Sequence, residues 1–132
     1  MKEKANVAFQ ENRFDAALEG YQYCADLIQA MGSCTPELVT ALQVIRANVV
    51  MVLLKQSQYE TAALAATMLL DDEEYPLPED LLVKVLYRRG LASKNMGNID
   101  AALADFKAAV QFSLPTHNVA AEREIALLSK RV

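Results

Sequence analysis

Apolar residues recur along this chain at steps of three and four. From 14 to 31 they form one stripe, Phe14, Ala17, Leu18, Tyr21, Cys24, Ala25 and Ile28, as expected of a helix with a single buried face. Clear breaks fall at Gly32-Ser-Cys-Thr-Pro36, at Asp71-Asp-Glu-Glu-Tyr-Pro-Leu-Pro78, at Gly97-Asn98 and at Ser113-Leu-Pro115. Weaker ones sit at Glu11-Asn12-Arg13 and Gln56-Ser57-Gln58, leaving seven segments of helical pattern. Thr35 is a suitable cap for the third, with Pro36 in its first turn. Pro78-Glu79-Asp80 opens the fifth in the same way, with acids where the helix dipole favours them. The last segment, His117 to Lys130, is amphipathic, and Val119, Ala120, Ile125 and Leu128 are its expected inner side.

The segments repeat. Phe14, Tyr59 and Ile99 open alternate helices, and three residues later each is followed by Ala: Ala17, Ala62 and Ala102. Four further on come Tyr21, Ala66 and Phe106, then Cys24, Leu69 and Ala109. Nine residues before each opener stand Ala5, Val50 and Gly90, small enough to let antiparallel helices approach closely while aromatics fill the space between repeats. A hairpin of this kind cannot bury its apolar face alone, whereas stacked hairpins share an elongated core. This arrangement resembles a tetratricopeptide repeat (TPR) domain, most closely at Gly97-Asn-Ile-Asp-Ala-Ala-Leu103. The spacings of 45 and 40 residues between the three Ala exceed the roughly 34 of that repeat, so the loops are expected to carry insertions. The resemblance implies an all-α fold: three helix-turn-helix repeats at about 1–31, 36–70 and 79–113, and a capping helix at about 116–131. Together they would form a right-handed α-solenoid whose first helices line a concave peptide groove.

Composition supports helices and narrows function. The chain has 132 residues, enough for one domain, and 53% of them are apolar, ample for a core. With four Gly and four Pro it lacks the turn residues of a sandwich or barrel. A net charge of −4 offers no general field for nucleic acid, so any anion site must be local. Cys24 and Cys34 lie ten apart without a nearby His, which suits two reduced thiols in a cytoplasmic protein better than a metal site. Met1 is followed by charged and polar residues rather than a signal sequence, and the greasy run Val49 to Leu54 is too short to span a bilayer. The acidic run Asp71 to Glu74 lacks calcium-loop spacing and reads as a solvated loop. No phosphate loop, metal cluster or nucleophile–base pair points to an enzyme, and no cofactor is called for.

The chemistry lies in polar residues on the first helices. Lys2 and Asn6 are four apart on one face, Asn48 interrupts the apolar run Ala47 to Leu54, and Lys84 and Arg88 are again four apart. Side by side, these helices would bring cationic and amide donors to one spot, which suits carboxylates. The five match the two-carboxylate clamp of the TPR co-chaperones, whose pattern is Lys and Asn four apart on the first helix, Asn on the third, and Lys and Arg four apart on the fifth. The run Lys84-Val-Leu-Tyr-Arg-Arg-Gly-Leu-Ala92 is similar to the fifth helix of immunophilin-type co-chaperones. The resemblance implies binding of the Glu-Glu-Val-Asp tail of a heat-shock 90 or heat-shock 70 chaperone by a monomer, with Phe9 and Leu91 as possible apolar contacts. The alternative is a TPR scaffold for a different protein partner. Beginning within a turn of the clamp and ending just past the capping helix, the chain reads as either part of a longer protein or a stand-alone TPR adaptor.

Overall fold

The computed structural model describes residues 14–30 and 35–130. Among them are six helices and no strand: α1 (Phe14–Ala30), α2 (Pro36–Lys55), α3 (Tyr59–Leu70), α4 (Glu79–Asn95), α5 (Ile99–Ser113) and α6 (Val119–Ser129). Each packs on the next in the chain, and α2 also packs directly on α4. Consecutive packing of this kind is consistent with a helical-repeat stack.

The aligned small residues set the packing. Ala17, Ala62 and Ala102 are wholly buried, as are Val50, Ala66, Phe106 and Ala109, while Tyr21, Cys24 and Leu69 are nearly so. Gly90 is buried where Phe106 crosses it, and a Cβ there would lie 2.7 Å from the ring. Three apolar clusters result, joined through Leu18, Val49 and Leu70 into one elongated core. Ile45, Val50, Val52, Val85, Phe106 and Leu128 are its largest fully buried side chains, each stabilising by about 1.5–3 kcal/mol relative to exposure.

Local chemistry sets the helix ends. The Thr35 hydroxyl accepts from the Leu38 N–H at 3.3 Å, and Pro36 sits in the first turn. Pro78 occupies the cap position of α4 rather than its first turn. The α2–α3 and α4–α5 turns are alike. Gln58 N–H donates to Leu53 O at 2.8 Å and Asn98 N–H to Ser93 O at 2.9 Å. Each turn needs one left-handed residue, supplied by Ser57 at φ 60° and by Gly97 at φ 80°.

Two expectations need correction. Val119 is 61% exposed and Ala120 is exposed, so neither faces inward on α6. The Asn118 side chain caps Ala121 N–H at 3.1 Å, and the register then turns Ala121, Ile125 and Leu128 towards α5. The second concerns α2, read only through its apolar run from 49 to 54. An 18-residue window of this 20-residue helix has a mean hydropathy of 1.7, so the helix is long and apolar enough to cross a membrane by length and composition. Here it packs among α1, α3 and α4 and carries Gln43, Arg46 and Asn48.

Candidate functional site

The direct packing of α2 on α4 brings Asn48 and Arg88 into one neighbourhood. Arg88 is half-buried, and its Nη1 donates to the carbonyl of Ala47 at 2.7 Å, across from one helix to the other. Tyr21 of α1 closes the same corner: burial raises its phenol pKa, and the Arg88 cation works against that rise. Burial in turn lowers the Arg88 pKa, which Tyr21 partly offsets. From so high a starting value the guanidinium stays cationic at neutral pH.

Asn48 is half-buried and hydrogen-bonds to nothing among the described residues. No fully buried polar side-chain atom among them lacks a partner, so the free amide of Asn48 reaches solvent. Lys84, one turn before Arg88, is exposed and makes no ion pair among the described residues. Leu91, one turn after it, is half-buried and packs on the cluster around Phe106. Lys2, Asn6 and Phe9 lie outside the described residues. Three of the five expected donors are therefore described. Among the described residues Asn48 and Lys84 have no partner, and Arg88 has one bond to the neighbouring helix.

Two polar arrangements escaped the reading of the sequence. Arg89, beside Arg88 but turned the other way, grips Asp105 of α5 in a two-pronged ion pair at 2.8 and 2.7 Å. It also donates to the Thr67 hydroxyl of α3 at 3.2 Å. The bond to Asp105 raises the Arg89 pKa, burial opposes it, and the charges of Asp105 and Asp71 add to the rise. The available signal was Asp105 itself, an acid set within the buried row Ala102, Phe106 and Ala109. Gln43, also buried, donates to Tyr75 O at 2.9 Å and more weakly to Pro76 O at 3.4 Å, tying the loop before α4 to α2. Within that loop the Asp72 carboxylate accepts the N–H groups of Glu74 and Tyr75 at 3.0 Å each.

Consecutively packed helices of this kind form a helical-repeat module, an architecture suited to contact with another protein. Among known proteins, the chain is similar to protein unc-45 homolog B of Danio rerio, with 32% identity over 105 residues, or 80% of this chain. It spans about a tenth of that protein's length, 10%. No family model matches the chain.

Proposed function

We propose that this chain is a protein–protein interaction module that takes the acidic C-terminal tail of a heat-shock 90 or heat-shock 70 chaperone. Asn48, Lys84 and Arg88 would meet the tail's carboxylates together with Lys2 and Asn6. The observation that carries the reading is that the Asn48 amide and the Lys84 ammonium have no partner among the described residues, while Arg88, on the same helix as Lys84, reaches the carbonyl of Ala47 next to Asn48. A cation left half-desolvated beside a free amide is poorly served by water, and a carboxylate gives charge-assisted bonds to both. The likeness to unc-45 homolog B is in keeping with a chaperone-related module. A cytoplasmic setting, where such tails are found, goes with this proposal.

The test is calorimetric titration of the folded chain with the peptide Met-Glu-Glu-Val-Asp and with its C-terminally amidated twin. The free acid should bind with a Kd on the order of micromolar, weakening with salt, and the amide should not bind. Lys84→Ala should weaken binding by about 2 kcal/mol. Equal binding of acid and amide, or a Lys84→Ala variant that binds as tightly as the parent, would refute the clamp and leave a scaffold for another partner.

A further inference from the structure

A second groove, distinct from the face of Asn48 and Lys84, runs between α1 and α3 with α2 as its floor. Two adjoining cavities of about 240 and 350 Å³ form it, and they share Gln29, Arg46, Leu69 and Asp72. Its surface is mainly apolar, with Ala25 from α1, Leu42 and Val49 from α2, and Met68 and Leu69 from α3. Met68 is 69% exposed at the rim. Small-molecule sites have this make-up of apolar walls with a few convergent polar groups, and of the two volumes the larger lies at the small end of their range and the smaller just below it.

One repeat further along, the equivalent place is filled. Val49 and Arg89 hold matching positions, each just before the aligned pair Val50 and Gly90. Arg89 bridges its two flanking helices through Thr67 and Asp105. Val49 can make no such bridge, and the first groove stays open. Its own cation, Arg46, is exposed and makes no ion pair among the described residues. Gln29 is likewise exposed, with no hydrogen bond among them. Asp72, the one acid lining the groove among the described residues, has its Oδ1 occupied by the loop N–H groups.

We propose that this groove binds an aliphatic carboxylate. The chain would lie on Leu42, Val49, Leu69 and Met68, and the carboxylate would face Arg46 with Gln29 as a second donor. A guanidinium is suited to this task because its planar fork meets both carboxylate oxygens and is weakly hydrated.

The test is an NMR titration of the whole chain with decanoate, kept below its micellar range, and with decanol. Decanoate should give saturable shifts at Ala25, Val49 and Leu69, and decanol should bind roughly fivefold more weakly for want of the charge-assisted bond. Arg46→Gln, at an exposed position, should reduce decanoate affinity to that of decanol and leave decanol unchanged. Asp72→Asn keeps the Oδ1 acceptor that the loop uses, removes the negative charge, and should tighten decanoate. Lys84→Ala should leave both unchanged, which separates this site from the tail-binding face. The proposal is overturned by any of three results: no saturable shift, equal shifts at the unrelated exposed residues Leu114 and Val119, or a decanoate affinity indifferent to Arg46→Gln.

Discussion

Replacing Gly90 by Ala should destabilise the protein, against the sign that helix propensity assigns. In the interior of a solvated helix the change would stabilise by about 1 kcal/mol, because Gly has more backbone freedom to lose. At position 90, however, the new Cβ would lie 2.7 Å from Cε1 of Phe106 and 3.0 Å from its Cδ1 and Cζ. Phe106 has no exposed surface, and its ring is tilted against Tyr87 with centroids 5.5 Å apart, so it cannot swing aside. Overpacking of a filled core costs about 1–3 kcal/mol. A clash with three atoms of one fixed ring belongs in the upper half of that range. Subtracting the propensity gain leaves a net loss of about 1–2 kcal/mol. With an unfolding entropy of about 2.1 cal/mol/K per residue over 132 residues, each kcal/mol shifts Tm by roughly 3–4 °C. Circular dichroism on heating should therefore show Tm falling by about 3–7 °C. Combining Gly90→Ala with Phe106→Leu should cost less than the two changes added together, since the smaller side chain vacates the contested space. A rise in Tm for Gly90→Ala alone would refute the close approach of α4 to α5 at Gly90 and Phe106.

Three further outcomes rest on single local features. Ser57→Gly should raise stability by about 0.5–1 kcal/mol, because φ 60° is costly for a side-chain-bearing residue, and thermal melting reads it directly. Arg89→Ala should cost about 2–3 kcal/mol in urea unfolding and more than Asp105→Ala, because the Asp105 side chain left behind is only 9% exposed whereas Arg89, at 26%, can reach water. Gln43→Ala should speed proteolytic nicking at 71–78, where the loop loses its bonds at Tyr75 and Pro76, with amide exchange in α5 unchanged.

The register of the stack was legible because it depends on size alone. Where two helices cross, the closest point tolerates only a small side chain, so Ala17, Ala62, Ala102 and Gly90 mark those crossings in the bare sequence. Polar partnerships were less legible, since Arg89 and Asp105 lie sixteen residues apart and meet only once α5 has folded back on α4. The inner face of α6 was misjudged for a more local reason. Its start is set by the cap at Asn118, and a helix begun there turns Val119 outward whatever its apolarity. Of the proposed tail-binding residues, Asn48 was recognisable as an amide in an apolar run. That it has no partner among the described residues follows only from the packing of α2 against α4.

Arg88 shows why one residue can mislead a test of that site. Its guanidinium has five N–H donors, and the Ala47 carbonyl engages Nη1 while the group is held in place between α2 and α4. A carboxylate arriving there needs no rotamer search, which spares the ordering cost that usually weakens binding to long side chains. The same bond ties two stacked helices together, so Arg88→Ala removes both a proposed ligand donor and a link in the stack, and a loss of affinity in that variant would mix the two effects. Lys84 carries no such second duty: it is exposed and unpaired among the described residues. Its replacement should leave Tm within about 1 °C of the parent, as surface substitutions do, while reducing tail binding. If Lys84→Ala retained full affinity and only Arg88→Ala lost it together with a fall in Tm, the Arg88 effect would be structural and the tail would have to bind elsewhere.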